Sequence, residues 1–540
     1  MTDTATPPVS PATAVLDQVV QNLNQGDIAN ATVLACAALG RGTIHPLFLN
    51  LRAARFEQRG ENAAALEDLL HAHQIAPEDA SVSNALGLAF MKSGRYFDAI
   101  GAFDAAATSA PEFASAHFNK GTAHEAAGNL DIAKTCFEQA AAIDPRAEPF
   151  ARLASLAVRR GDFGEAVRLS QEALARQPGH PSALRSLITA DIETGHLTGA
   201  ETQLTELLGR TGLQPFDRYM TMGLLGDFHE KRGEYGQAFA AYAQGNEEYY
   251  RALRPQFAAT AATSLQWLTA YYGSNSGTRA MPNDHNPSGE AHVFLVGFPR
   301  SGTTLLEQIL SAHPMVVTME EKDAFEESVR AFMAGPNSHA ILATLAPDRL
   351  EHYREAYWRR IGEYGHARGG KIFVDKHPLH AVKIPLIAAL FPKAKILFAI
   401  RDPRDVVLSC LRARFRMNPY MIELLRLQDA ANFYSSFMHL AELYRKTFAM
   451  QIYQVRHEDL VSDFDRVSAE ICTFLGVKWT SSLRDFSHRS RIRAIATPGA
   501  RQIAAGLSRA GLGRWQSYAD QLAPVMPVLA PWVKRFGYAA

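Results

Sequence analysis

Gly297-Phe-Pro-Arg-Ser-Gly-Thr-Thr304 has the spacing of a phosphate-binding loop, Gly-x4-Gly followed by two hydroxyl residues. A loop of this kind between a strand and a helix presents successive backbone N–H groups at the helix N-terminus, where they hold a phosphate. Threonine occupies position 303, where the lysine of ATP-consuming loops reaches the β and γ phosphates, so phosphoryl transfer from ATP is disfavoured. The cation of this loop is instead Arg300. Further on, Met319-Glu-Glu-Lys-Asp323 sets two carboxylates side by side, and such repulsion can raise one pKa toward the range of a general base. Lys376 and His377 close the apolar run Lys371-Ile-Phe-Val-Asp-Lys376 and bring a cation and another candidate base.

These residues need elements to hold them. His292–Gly297 reads as a buried strand, Phe298–Gly302 as a tight loop, and Thr303–His313 as a helix whose Leu305, Leu306, Ile309 and Leu310 face a sheet. Repetition of strand, turn and helix beyond this point predicts an α/β domain with a mainly parallel sheet. Ala399-Ile-Arg-Asp-Pro403 closes another strand and opens a helix, with Asp402 as N-cap and Pro403 in the first turn. A stretch rich in Gly, Ser, Asn and Pro, about 273–289, precedes the domain.

The first half keeps a different rhythm. Glycines fall at 26, 60, 94, 128, 161, 195 and 233, each followed five residues later by alanine: Ala31, Ala65, Ala99, Ala133, Ala166, Ala200 and Ala238. Prolines 46, 77, 111, 145 and 178 share the beat. A helix pair per repeat explains all three, with glycine relaxing the turn, alanine allowing close helix approach and proline ending the second helix. In the third repeat the expected helices are Ala80–Ser93 and Tyr96–Ala110, with Phe97, Ile100 and Phe103 on one apolar face.

This pattern resembles the tetratricopeptide repeat over about 14–250, in six or seven units. The later motifs resemble the bacterial tetratricopeptide-repeat sulfotransferases, with a catalytic domain similar to tyrosylprotein sulfotransferases over about 291–540. Gly297–Thr304 resembles their 5′-phosphosulfate loop, and Ala399–Ser409 their 3′-phosphate motif. The resemblance implies an α-helical solenoid followed by an α/β P-loop-like sulfotransferase domain that uses 3′-phosphoadenosine-5′-phosphosulfate as co-substrate and no metal. It places Arg300 and the N–H groups of Ser301, Gly302, Thr303 and Thr304 on the 5′-phosphate, and Arg401 and Ser409 on the 3′-phosphate. An arginine is apt there, since its planar fork engages two phosphate oxygens at once.

By the same resemblance Glu321 is the general base, with Glu320 and His377 as rivals, while Lys376 and Arg300 stabilise charge on the leaving phosphate oxygen. His457, in Arg456-His-Glu-Asp-Leu460, falls where an aromatic ring lies near the adenine. Arg514, in Gly511-Leu-Gly-Arg-Trp515, is a candidate for the 3′-phosphate. Two positions depart from the family pattern: Asp323 replaces an arginine, and a serine expected near Gly499 is absent, so that either Thr497 substitutes for it or its contact is missing.

Composition is that of a globular chain, with 47% hydrophobic and 20% charged residues among 540. A net charge of zero argues against indiscriminate nucleic-acid binding. Residues 1–250 carry 19 basic and 30 acidic side chains, a net −11, and residues 251–540 carry 36 and 25, a net +11. Four scattered cysteines and the absence of a leader or membrane-length apolar run point to a cytoplasmic protein. The expected organisation is a disordered N-terminus (1–13), the solenoid (14–250), a linker (251–290) and the sulfotransferase domain (291–540). The repeat groove is expected to hold a polypeptide, the acceptor among the candidates. Protein tyrosine sulfation is the favoured activity; a carbohydrate or lipid hydroxyl as acceptor, or a catalytically idle nucleotide-binding adaptor, are the alternatives.

Overall fold

The glycines of the repeat end their helices in the left-handed conformation, with φ from 71° to 87° at positions 26, 60, 94, 128, 161, 195 and 233. No atom lies within 4 Å of where a side chain would begin at any of them, so backbone conformation, not space, selects glycine. The seven alanines of the beat are fully buried. In the computed structural model, which describes residues 11–257, 261–274, 291–367, 369–486, 507–509 and 511–539, these signals build helix pairs. They are α1 (Pro11–Asn24) and α2 (Ile28–Gly40), α3 (Pro46–Gln58) and α4 (Asn62–Ile75), α5 (Ala80–Lys92) and α6 (Tyr96–Ser109), and α7 (Ala114–Ala126) and α8 (Leu130–Ile143). They continue as α9 (Ala147–Arg160) and α10 (Phe163–Arg176), α11 (Pro181–Thr194) and α12 (Leu197–Leu208), and α13 (Pro215–Lys231) and α14 (Tyr235–Leu253). Pro77, Pro111, Pro145 and Pro178 each follow the end of a second helix, but Pro46 opens α3, where its missing N–H would be unpaired anyway.

The chain divides into two compact units, residues 1–158 with 164–186, and residues 159–163 with 187–540. In the first, Leu69, Leu86, Phe90 and Phe103 form one buried cluster, and Val19 and Phe48 belong to another. Phe103 packs so closely on Gly87 that a Cβ there would stand 2.5 Å from the ring.

The second unit is built around five parallel strands, β1 (His292–Gly297), β2 (Val316–Glu320), β3 (Ile372–Lys376), β4 (Lys395–Ile400) and β5 (Gln451–Arg456), in the order β2-β3-β1-β4-β5. Burial on both faces makes β1 continuously apolar, and its side chains alternate between two cores. Val293 and Leu295 join Leu306 and Ile309 of α16 (Thr303–Ser311). Phe294 and Val296 join the opposite core, to which α15 (Ala261–Ser274) contributes Leu265, Leu268 and Tyr272. Part of the stretch expected as a linker is therefore a core helix; residues 275–290, like residues 1–10 of the N-terminus, lie outside the described residues. Also in that core are Ala238 and Tyr242 of α14, the last repeat helix. Helix α17 (Glu326–Phe332), α18 (Pro336–Ile341), α19 (Pro347–Glu363), α20 (Ile384–Leu390), α21 (Pro403–Arg412), α22 (Leu427–Thr447), α23 (His457–Ser462) and α24 (Phe464–Leu475) complete the connections. No helix among the described residues is long and apolar enough to cross a membrane.

Candidate active site

Open parallel sheets bind ligands outside the carboxyl ends of their strands, and here the sequence-predicted residues collect at that edge. Register sets Glu320, the last residue of β2, beside Lys376, the last of β3, which in turn lies beside Leu295 of β1. Gly297 ends β1 against β4, where a Cβ would approach the Ala399 carbonyl oxygen to 2.6 Å. Arg300 and Glu321 have φ of 72° and 45°, the two non-glycine residues with positive φ among those described. Strained backbone of this kind persists where its surroundings over-determine it, and both residues stand at this edge.

The loop and the second motif meet directly. Arg300 Nε donates to Ser409 Oγ at 3.0 Å, 109 residues on, and Arg401 Nη1 donates to the Arg300 carbonyl at 3.4 Å. Gly302 caps α16 with φ 94°, and a Cβ there would stand 2.5 Å from His457 Nδ1, so His457 lies against the loop. Thr303 and Thr304 begin α16, whose first N–H groups have no carbonyl of their own helix to bond. Ser301 Oγ, Arg401 Nε and His457 Nδ1 are buried atoms without a hydrogen-bond partner. Burial, with Arg401 nearby, pushes the His457 imidazole down to about 3, so its ring is neutral. Unpartnered polar atoms, a glycine loop at a helix N-terminus and two arginines together suit an anionic nucleotide.

Beside it lies the acid–base pair. Lys376 is fully buried, and its Nζ donates to Glu321 Oε1 at 2.8 Å and to Glu320 Oε1 at 3.4 Å. The Glu321 N–H donates to the Lys376 carbonyl at 2.7 Å, fixing the turn. Repulsion between the adjacent glutamates was expected to raise a carboxyl pKa; the direction is the reverse. Burial pushes Glu321 up, but Lys376 and His377 outweigh it and hold the carboxyl below its usual range. Burial likewise pulls Lys376 down, and Glu321 and Glu320 more than reverse it.

His377 is pushed down to about 4 by burial, with Lys383 adding to it, and its Nδ1 has no partner. Its ring stacks on His380 at 4.3 Å. Asp323 pairs with Lys383 at 2.5 Å and lies 3.6 Å from Nε2 of His380, whose ring burial keeps neutral, so its carboxylate is engaged by one cation and one imidazole from the segment after β3.

Arg514, the remaining candidate, donates from Nε to Glu230 of α13 at 2.8 Å. The loop around it is tied to the site, since Asp405 accepts from Gly513 N–H and Trp515 N–H at 2.8 Å each, and Arg401 donates to the Gly511 carbonyl. Sequence reasoning missed Asp405, although it lies inside the Ala399–Ser409 segment, and Glu230, which stands in no motif. Thr497 and Gly499 lie outside the described residues. Among those described, no three or more His, Cys, Asp or Glu side chains are grouped to hold a metal ion.

An all-parallel sheet with this loop after β1, and the two anion motifs joined across β1 and β4, has its counterpart in the comparisons. Residues 292–481 match the sulfotransferase family, and residues 51–112, 84–148 and 157–214 match tetratricopeptide-repeat models. The chain joins a tetratricopeptide-repeat array to a sulfotransferase-family domain. An uncharacterized protein of Aquifex aeolicus is 24% identical over 386 residues, 69% of this chain and 49% of its own length. Protein-tyrosine sulfotransferase 2 of Gallus gallus is 24% identical over 277 residues, 46% of this chain and 69% of its own. The chain thus spans about half of the first relative and about two thirds of the second. A solved tetratricopeptide repeat protein from Parabacteroides merdae aligns at 14% identity with a TM-score of 0.36, over 44% of this chain and 93% of that one.

Proposed function

We propose that the protein transfers a sulfuryl group from 3′-phosphoadenosine-5′-phosphosulfate to an acceptor hydroxyl, with protein tyrosine as the acceptor. The observation that carries this reading is the Arg300–Ser409 hydrogen bond, which brings the two motifs together at the sheet edge that also holds Glu321 and Lys376. The donor, when bound, supplies the sulfuryl group and a nucleotide leaving group. Arg300 and the amides of Gly302, Thr303 and Thr304 hold its 5′-phosphate, with Ser301, whose N–H donates to the Phe298 carbonyl at 3.1 Å, offering its hydroxyl, and Arg401 and Ser409 hold its 3′-phosphate, a group that ATP lacks.

Glu321, ionised at neutral pH, takes the proton of the acceptor hydroxyl. Its low basicity is offset by placement, since a positioned base avoids the entropy of a chance encounter. Lys376 stays charged and lies where it can stabilise negative charge on the departing oxygen once Glu321 accepts the proton. The repeats support a polypeptide acceptor, since helical-repeat arrays offer extended surfaces for chains. Four unpaired cysteines support a reducing, cytoplasmic setting.

The test is transfer of labelled sulfate from the donor to a pool of tyrosine peptides by the wild type, Glu321→Ala and Lys376→Ala. Both variants are expected to lose turnover by about a hundredfold or more. Unchanged turnover in both removes the site assignment, and tight binding of adenosine 3′,5′-bisphosphate without transfer to any acceptor class favours a nucleotide-binding adaptor.

A further inference from the structure

Asp227 and Glu230 are three residues apart on α13 and so share a helix face. Asp227 accepts from Arg414 and from Tyr242 OH, the latter at 2.8 Å. The Glu230 side chain is 6% exposed and takes four donors: Arg412, Arg514 Nε at 2.8 Å, Tyr518 OH at 2.9 Å and, more weakly, Tyr242 OH at 3.3 Å. Its two arginines come from different places. Arg412 ends α21, the helix that carries Ser409, and Arg514 sits in the loop that Asp405 and Arg401 tie to the other end of α21.

The same repeat hairpin also grips the main chain at the end of α21. Asn246 Nδ2 donates to the Leu411 carbonyl at 2.8 Å, and Tyr219 OH to the Ala413 carbonyl at 3.2 Å. Gly223 admits the Arg414 guanidinium so closely that a Cβ would stand 2.3 Å from its Nε. A carboxylate this buried and this fully bonded is rigid, because unpairing it leaves an uncompensated charge.

We infer that Glu230 is a positioning residue for the donor 3′-phosphate: acting through Arg514 and Arg412, it fixes the loop 511–515 and the end of α21 about Arg401 and Ser409. The last repeat is thereby part of the nucleotide site as well as of the array. This rests on the donor reading above. A residue that merely stapled α13 to its neighbours would affect folding, whereas a positioning residue affects discrimination for the phosphate it arranges.

The experiment measures calorimetric binding of adenosine 3′,5′-bisphosphate and of adenosine 5′-monophosphate to the full chain, as wild type, Glu230→Gln, Arg514→Gln and the double variant. The wild type is expected to prefer the bisphosphate. Glu230→Gln is expected to cut that preference by about tenfold, the scale of one hydrogen bond to a charged group, with monophosphate binding unchanged. The double variant is expected to match Arg514→Gln alone. Equal loss of both ligands, loss of neither, or losses that multiply in the double variant each overturn the inference. If Glu230→Gln does not fold, Arg514→Gln decides alone, and an undiminished preference in it is fatal. A wild type that prefers neither ligand brings down the donor reading itself, which is distinct from a preference that survives Glu230→Gln.

Discussion

At the scale of single residues, burial and charge divide the work among neighbours on β3. Lys376 keeps its proton because two glutamates face it, whereas Asp375, one residue earlier and fully buried, has its carboxyl pushed up to about 7 by burial, with the Tyr357 hydroxyl at 2.7 Å pulling the other way. The consequence for stability has a definite sign. Since the folded pKa exceeds the unfolded value of 3.8, the folded state holds a proton between pH 3.8 and 7 that the unfolded chain has lost. Stability is fully present below that window and declines through it by about 1.4 kcal/mol per pH unit at most. Asp375→Asn, neutral at every pH, removes this slope. Its melting temperature is expected to exceed that of the wild type by several degrees at pH 8, with a much smaller difference at pH 4. Equal differences at both pH values would show that Asp375 is ionised in the folded protein.

At the scale of elements, the same residue type serves two purposes in the two halves. Gly94 needs only its φ of 71°, because nothing lies within 4 Å of a Cβ there, whereas Gly302 combines φ 94° with His457 Nδ1 at 2.5 Å from the Cβ position. Gly94→Ala is expected to lower the melting temperature through about 1–2 kcal/mol of backbone strain and leave nucleotide binding intact. Gly302→Ala is expected to weaken adenosine 3′,5′-bisphosphate binding by about tenfold or more, because the strain and the displaced histidine fall in the cradle itself. Calorimetry on both variants checks this, and equal binding in the two would separate His457 and the loop from the nucleotide.

This contrast also marks what the sequence made legible. Periodicity and turn residues placed β1 at His292–Gly297 and the third repeat's helices to within a residue of Ala80–Lys92 and Tyr96–Ser109, since those signals are local. Helix α16 stops at Ser311, short of the expected His313, because His313 is drawn into a turn that bonds Met315 N–H at 3.1 Å and the Lys478 carbonyl at 2.9 Å. The partner of Arg514 lies 284 residues away on an ordinary helix face, and a pairing of that separation leaves no local trace.

At the scale of the molecule, the repeat pattern extends to α14, but compactness draws its line elsewhere: residues 187–253 fold with the sheet. Ala238 and Tyr242 of α14 and Leu265, Leu268 and Tyr272 of α15 are buried in the same core as Phe294 and Phe398, and Arg412 and Arg414 find their carboxylates on α13. A fragment of residues 291–540 would uncover that core face and leave Arg412, Arg414 and Arg514 without their carboxylates. Breaking a buried ion pair costs about 3–5 kcal/mol, against a total stability of about 5–15 kcal/mol, before any lost apolar burial is counted. A fragment of residues 187–540 keeps all of these partners. It is expected to be soluble, to melt cooperatively and to bind adenosine 3′,5′-bisphosphate as the full chain does, while residues 291–540 alone aggregate. Thermal melts and calorimetry on the two fragments decide the matter: were the shorter one to melt cooperatively at the same temperature, α13–α15 would be attachments to the five-stranded domain rather than a part of it.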